Sequence, residues 1–121
     1  MQVLIVDSSF QIIERLEEML AEEENITGIA SAVSYEEATK LFNETKPEVV
    51  LLDCCLPGNA SLKLLKEIKE TGSKTSVIVL SLQEDNYKME QCKLLGADFL
   101  FDKYYGFEKI AGAIKTIAGK Y

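Results

Sequence analysis

A short apolar segment near the middle of the chain ends in a single aspartate. The run VVLL at 49–52 leads directly into Asp53, and Pro57 and Gly58 follow within five residues. An unbroken aliphatic run of this length, bounded by turn-forming residues, is typical of a strand that is buried on both faces of a parallel sheet. Open α/β sheets bind ligands at the carboxyl ends of such strands. Asp53 is therefore either a ligand-site carboxylate or a loop-capping residue, which is common after strands.

Composition limits the classes of protein that this chain can belong to. Its 121 residues, 47% hydrophobic and 27% charged, suit one globular domain, and a net charge of −7 argues against a nucleic-acid or anionic-membrane surface. No segment approaches the about 20 apolar residues of a membrane span. Three cysteines (Cys54, Cys55 and Cys92) form an odd number without metal-ligand spacing, which indicates reduced thiols and a cytoplasmic location. The absence of histidine excludes Ser-His and Cys-His catalysis.

Apolar runs and amphipathic segments alternate five times along the chain. The predicted strands lie at 2–6, 26–33, 49–53, 76–81 and 99–101. A helix is predicted after each strand; the fourth covers 85–95 and the fifth runs nearly to the last residue. This alternation predicts a parallel sheet with helices on both faces, doubly wound rather than closed into a barrel. We expect one domain over residues 1–121, with no output domain.

Polar side chains stand where four of the predicted strands end. Asp7 follows the first strand, Asp53 ends the third, Ser81 ends the fourth and Lys103 follows the fifth. Because parallel strands end at the same edge of a sheet, two carboxylates, a hydroxyl and an ammonium are expected to converge there. Each of them has a structural explanation when it is taken alone, but the four together favour a functional site.

The chain resembles the receiver domains of two-component response regulators along its whole length. The resemblance rests on Val6-Asp7, on the loop at 53–58 (DCCLPG), on the triplet at 96–98 (GAD) and on Asp102-Lys103, together with Leu64, Leu65 and Ile68 in the third helix. The aspartate loop combined with the lysine after the fifth strand is the most specific part. The resemblance implies a flavodoxin-like sheet with the strand order 2-1-3-4-5, of the stand-alone chemotaxis type.

The resemblance also implies a function. Asp53 would accept a phosphoryl group from a phosphohistidine of a sensor histidine kinase or histidine phosphotransfer protein, and a downstream target protein would read the resulting conformational switch. Mg²⁺ would be bound by Asp7, Asp53 and the backbone carbonyl of Cys55. Lys103 and Ser81 would contact phosphoryl oxygens. Such a module is not an enzyme beyond self-catalysed phosphorylation and dephosphorylation.

Four positions depart from the usual pattern of the family. Ser8 stands where receivers usually carry a second acid, so the acidic pocket is atypical and we expect Mg²⁺ to bind weakly. Leu82 replaces a small residue beside Ser81, and Tyr104 replaces the proline that usually follows the lysine. Leu100 occupies the position of the switch aromatic, with Phe101 on the opposite face of the strand.

Spacing in the fourth helix predicts a surface for a partner protein. Met89, Cys92 and Leu95 should pack on the sheet, while Tyr87 and Leu94 should be exposed. Tyr104 and Tyr105 lie near Lys103 in sequence, and with Leu100 these residues form the expected switch and partner face, although scattered exposed apolar residues are also normal.

Two other classes of function stay open at this point. The chain could be a pseudo-receiver, an interaction domain that works without phosphorylation. A flavin-binding electron carrier on the same fold is disfavoured, since carboxylates at this edge would repel a bound phosphate.

Overall fold

The protein alternates strands and helices from one end to the other. The computed structural model describes residues 1–81, 86–104 and 106–119. The elements are β1 (Gln2–Val6), α1 (Phe10–Leu20), β2 (Gly28–Ala32), α2 (Tyr35–Thr45), β3 (Val49–Asp53), α3 (Ala60–Glu70), β4 (Ser76–Ser81), α4 (Asn86–Leu94), β5 (Phe99–Asp102) and α5 (Phe107–Ala118), with a 3₁₀ turn at Pro57–Asn59. Among the described residues, no helix combines the length and the apolar composition needed to cross a membrane.

The five strands form one parallel sheet in the order β2-β1-β3-β4-β5. This confirms the predicted strand order and the doubly wound architecture. The register pairs Val6 with Leu52, Asp53 with Leu80, and Ser81 with Asp102. The strands therefore end at nearly the same level, and the residues that follow them meet at the carboxyl edge of the sheet.

The aliphatic runs occupy the centre of the sheet because only there are both faces covered. All five residues of β3 are buried, whereas all four residues of the edge strand β5 are half-buried. Alternate residues of β1 enter two separate cores: Val3 and Ile5 pack with α1 and α5, and Leu4 and Val6 pack with the α2–α4 side. Burying one such aliphatic side chain stabilises the fold by about 1.5–3 kcal/mol.

The second strand is shorter than the sequence pattern predicts. It begins at Gly28 rather than at Ile26, because the Ile26 N–H bonds to the carbonyl of Glu23 in a turn. It ends at Ala32, because the Val33 N–H donates to the Glu37 carboxylate beside the cap of α2. β5 extends one residue beyond its predicted end, to Asp102. The start predicted for α4 at residue 85 lies outside the described residues.

Serine side chains begin the first two helices. The Ser9 hydroxyl accepts from the Ile12 N–H at 3.3 Å, and the Ser34 hydroxyl accepts from the Glu37 N–H at 3.3 Å. Each cap satisfies one amide that the helix itself leaves without a partner. Since Ser9 lies two residues after Asp7, its cap also fixes the chain direction immediately beyond β1.

Candidate functional site

Three charged side chains are buried together at the carboxyl edge of the sheet. Asp7 follows β1, Asp53 ends β3 and Lys103 follows β5, with exposures of 1%, 4% and 2%. Charged residues are almost never buried this deeply unless they are paired. The structure thus brings together the three charged residues among the four polar residues that the sequence placed at strand ends.

Lys103 lies between the two carboxylates. Its Nζ is 2.6 Å from Asp7 Oδ2 and 3.1 Å from Asp53 Oδ1. One ammonium therefore neutralises two carboxylates only in part, and the cluster keeps one net negative charge. Losing either partner of such a buried pair leaves an uncompensated charge in a poorly solvated place.

The surroundings shift the pKa values of both Asp7 and Lys103. Burial raises the pKa of Asp7 above its ordinary value, despite the opposing hydrogen bonds from Lys103 and the Ser9 amide. Burial alone would lower the pKa of Lys103, but the hydrogen bond with Asp7 and the charge of Asp53 outweigh it and raise that pKa. Lys103 is therefore protonated at neutral pH.

Backbone amides hold both carboxylates in fixed orientations. The Ser9 N–H donates to Asp7 Oδ1 at 2.8 Å, and the Cys55 N–H donates to Asp53 Oδ1 at 2.9 Å. Each bond joins an aspartate to the amide two residues later, which is the local turn that this side chain favours. The carboxylates are thus oriented before any ligand arrives.

Ser61 was not singled out by the sequence, yet it positions the aspartate loop. Its hydroxyl donates to the carbonyl of Asp53 at 2.5 Å and accepts from the Leu56 N–H at 3.0 Å, and the residue is buried. A serine in the first turn of α3 resembles an ordinary helix-start residue. Only the folding back of the loop onto the helix shows this second contact.

Ser81 and Ser8 have different environments. Ser81 is buried at the end of β4, and its carbonyl accepts the Lys103 N–H at 2.8 Å, so it adjoins the charged cluster. Ser8 is exposed, although it follows the buried Asp7. The position at which the family usually carries a second acid is therefore open to solvent.

The residues present fit a magnesium ion by their chemistry. Oxygen ligands, chiefly carboxylates, are what Mg²⁺ prefers. Asp7 and Asp53 supply them, and Asp7 Oδ2 is buried 2.6 Å from Lys103 Nζ. A carboxylate oxygen has two lone pairs, so one ammonium contact leaves this oxygen a lone pair for a cation.

Two adjacent thiols border Asp53. Cys54 is buried and Cys55 is exposed. Burial, with the hydrogen bond to Cys55 as the next cause, raises the pKa of Cys54 to about 12. Cys54 is therefore a thiol rather than a thiolate at neutral pH.

The predicted partner surface is exposed where the structure describes it. Tyr87 is 73% and Leu94 is 83% exposed, and Tyr104 is also exposed. On the opposite side of α4, Cys92 is fully buried, while Met89 and Leu95 are half-buried against the same core. These exposures agree with the spacing argument.

Leu100, which stands at the predicted switch position, and its neighbour Phe101 lie on opposite faces of β5. Leu100 is half-buried against the α2–α4 core, and Phe101 packs against the α1/α5 core. This agrees with the expected opposite faces of neighbouring strand residues. The predictions for Leu82 and Tyr105 lie outside the described residues.

The triplet at 96–98, which contributed to the resemblance, makes structural contacts at the amino end of the sheet. Asp98 Oδ2 accepts from the Val77 N–H at 2.8 Å and from Lys69 Nζ at 2.7 Å. Gly96 has a φ of +102°, in the region that favours glycine. The triplet therefore joins α3 and α4 to the start of β4, away from the charged cluster.

With this fold and site, comparison with known proteins identifies the family. The response regulator receiver domain family matches residues 3–115. The chain belongs to this family. Its members are signalling modules of two-component systems that interact with kinases or phosphotransfer proteins and with downstream targets, and they are not enzymes in the ordinary sense.

Individual relatives agree with this assignment. The chain is 28% identical over 116 residues to the chemotaxis protein CheY of Halobacterium salinarum, covering 96% of this chain and 95% of that protein. It is also 28% identical over 116 residues to the response regulator GacA of Pseudomonas aeruginosa, covering 96% of this chain but 54% of GacA. The chain spans about half the length of the first curated relatives that it matches.

Solved structures show the same fold. The signal receiver domain of a DNA-binding response regulator from Colwellia psychrerythraea 34H superposes with a TM-score of 0.89 at 22% identity, covering 98% of each chain. The BeF3-activated DrrB receiver domain has a TM-score of 0.79 at 26% identity, covering 96% of this chain and 95% of its own.

Proposed function

We propose that Asp53 accepts a phosphoryl group from a phosphohistidine carried by a sensor histidine kinase or a histidine phosphotransfer protein, and that a target protein reads the result. The observation that carries this proposal is the placement of Asp53: it is oriented by the Cys55 amide at the end of β3, with the Lys103 ammonium 3.1 Å from its carboxylate. Nucleophile and charge-neutralising cation are thus already side by side.

The transfer needs no base on this chain. A carboxylate oxygen of Asp53 attacks phosphorus, the P–N bond of the partner's phosphohistidine breaks, and the bonding electrons return to that imidazole. Lys103 pairs with a phosphoryl oxygen, and the Ser81 hydroxyl donates to another. Phosphorylation adds a charge of about −1.5 to −2. Lys103 then has a stronger anion to pair with than Asp7, and the end of β5 shifts with it.

We infer that Mg²⁺ is bound by Asp7, Asp53 and the carbonyl of Cys55. The ion supplies positive charge against the phosphoryl oxygens when it is bound. Its affinity is weak, because Ser8 contributes no anion and Lys103 already partly neutralises both carboxylates. Ser8→Asp should tighten Mg²⁺ by about 10-fold or more. Isothermal titration of both proteins measures this, and equal affinities would show that residue 8 lies outside the metal shell.

The direct test is intact-mass spectrometry after incubation with acetyl phosphate or phosphoramidate, with and without Mg²⁺. The wild-type protein should gain one phosphoryl group by self-catalysed transfer. Asp53→Asn should gain none, while Asp102→Asn, which changes a nearby carboxylate outside the cluster, should still be labelled. A phosphoryl adduct that persists in Asp53→Asn would refute the assignment of the acceptor.

The same experiment distinguishes a pseudo-receiver. If the wild-type protein remains unlabelled by both donors and by a phosphorylated histidine partner, yet binds its target, the domain works without phosphorylation. A cytoplasmic location stays a prediction.

A further inference from the structure

Cys54 and Cys55 present their sulfur atoms to each other beside the proposed acceptor. The two Sγ atoms are 3.0 Å apart. In an extended strand, neighbouring side chains point to opposite faces and their sulfurs would be far apart. Here β3 has ended at Asp53 and the chain has entered a turn, so both thiols lie on one side.

A carboxylate oxygen of Asp53 completes a compact group of three ligand atoms. This oxygen and the two sulfurs all lie within 4.8 Å of one another. Cys54 is buried at the floor of the group, whereas Cys55 is exposed at its entrance. The group therefore has a fixed inner ligand and an outer ligand that a metal ion can reach from solvent.

We propose that Cys54, Cys55 and Asp53 form a second metal site, specific for thiophilic divalent ions of the Zn²⁺ and Cd²⁺ class, which competes with phosphorylation of Asp53. Two sulfur ligands and one carboxylate match the preferences of Zn²⁺ and exclude Mg²⁺, which takes oxygen ligands. Three protein ligands leave a fourth position for water. Binding releases the thiol protons: M²⁺ + 2 RSH gives M(SR)₂ + 2 H⁺.

The geometry favours a metal over a disulfide. Zn–S bonds of about 2.3 Å at tetrahedral angles place two sulfurs about 3.8 Å apart, so the present pair must open by less than ~1 Å. The exposed Cys55 side chain can make that movement. A disulfide instead needs Cα atoms about 4.4 Å apart or more, whereas neighbouring residues are held at about 3.8 Å.

The site bears on signalling because it shares Asp53 with the phosphoryl group. A metal ion held by both sulfurs and this carboxylate occupies an oxygen that would otherwise attack phosphorus. Only this consequence depends on the proposed function. Metal binding itself does not, and it is measured separately.

The first measurement is a Cd²⁺ titration of the full chain, reduced and without phosphate. Thiolate coordination gives a sulfur-to-cadmium charge-transfer band in the ultraviolet, which we expect to saturate at one equivalent. Cys55→Ser should weaken binding at least ~100-fold, because an entire ligand is lost. Cys92→Ser, which removes the third thiol outside the group, should bind as the wild type does. Zn²⁺ should displace Cd²⁺, and millimolar Mg²⁺ should not.

Three results would overturn the site. They are no charge-transfer band, equal Cd²⁺ affinity of Cys55→Ser and the wild type, or a two-dalton mass loss showing that the pair is a disulfide under mild reductant. Because Cys55 is exposed, Cys55→Ser should fold, which circular dichroism checks. Asp53→Asn should keep the band with lower affinity, and unchanged affinity would remove Asp53 from the ligand set.

A second measurement separates this inference from the proposed function. Equimolar Zn²⁺ should suppress acetyl phosphate labelling of the wild type more strongly than that of Cys55→Ser, when each protein is compared with its own labelling in the absence of Zn²⁺. If the protein binds Cd²⁺ but is never labelled in metal-free or Mg²⁺ buffer, the assignment of Asp53 as the acceptor is refuted and the thiol site stands. If the protein shows no charge-transfer band with Cd²⁺ and is labelled equally with and without Zn²⁺, the thiol site is refuted and the assignment of the acceptor stands.

Discussion

The centre of the sheet and the corner formed by α4 and β5 are built differently. At the centre, β1 and β3 are buried on both faces and end in the buried cluster of Asp7, Asp53 and Lys103. At the corner, every residue of β5 is half-buried, and α4 is fully buried only at Cys92 among its described side chains. Tyr87 and Leu94 face solvent.

This difference suits the two tasks that we propose for this receiver, accepting a phosphoryl group and reporting it to a partner. A phosphoryl site works best when its groups are held before the ligand arrives, and close packing on both faces supplies that rigidity. A surface that reports the event must change at a small free-energy cost, and such segments have few buried apolar contacts. Lys103 connects the two regions, since it follows β5 and yet contacts both aspartates.

The largest expected effect comes from breaking the central cluster. Lys103→Met leaves two carboxylates buried without a counter-charge, and we expect the free energy of unfolding at pH 7 to fall by about 3–5 kcal/mol. Urea denaturation measures it, with the exposed Lys109→Met as the matched control. Adding Asp7→Asn to Lys103→Met should recover part of the loss, because one uncompensated charge is removed. No recovery would mean that carboxylate repulsion is not the cause.

Alkaline pH provides a check on the same lysine. Because the pKa of Lys103 is raised above 10.5 in the folded protein, its stabilisation is present below that pH and is lost as pH rises through the higher value. Between the two pKa values, the lysine's contribution to unfolding free energy should fall by about 1.4 kcal/mol per pH unit. The difference between the wild type and Lys103→Met should therefore narrow above pH 10.5.

A pair of leucines measures the contrast in packing. Leu52 is fully buried beside Asp53, whereas Leu94 is 83% exposed on α4. Leu52→Ala should cost about 2–5 kcal/mol through lost burial and the cavity that remains, and Leu94→Ala should stay within about 0.5 kcal/mol of the wild type. Equal losses, measured by the same denaturation, would show that α4 packs as tightly as the centre.

The smallest effect on stability, but a large one on binding, is expected at the corner. The double substitution of Tyr87 and Leu94 by Ser should change the unfolding free energy by less than about 1 kcal/mol, since neither side chain is buried. It should abolish recovery of the target protein from the native host. Tyrosine and apolar side chains contribute much of the binding energy of interfaces when a partner covers them.

Phe10 provides the matched control, because it is 73% exposed, as Tyr87 is, but lies at the start of α1. Phe10→Ser should leave target recovery unchanged. If Phe10→Ser abolishes recovery while the double variant binds normally, the docking face lies at α1 instead.

The sequence alone determined the number and order of the elements, because apolar periodicity and turn residues are local signals. The boundaries of β3 and β4 followed from aliphatic runs that only a two-sided core accommodates. β2 was predicted too long. Its ends are set by hydrogen bonds to the Glu23 carbonyl and to the Glu37 side chain, and the residue types in the segment do not reveal those bonds.

Only the tertiary structure decided how the strand-end residues meet. That Asp7, Asp53 and Lys103 share one edge follows from parallel strands, but that one ammonium contacts both carboxylates depends on the register of β5 and on side-chain rotamers. The bond from Ser61 to the Asp53 carbonyl and the facing sulfurs of Cys54 and Cys55 depend likewise on how the loop folds back. Local sequence sets where a strand ends, whereas contacts between residues far apart in the chain require the packed fold to position them.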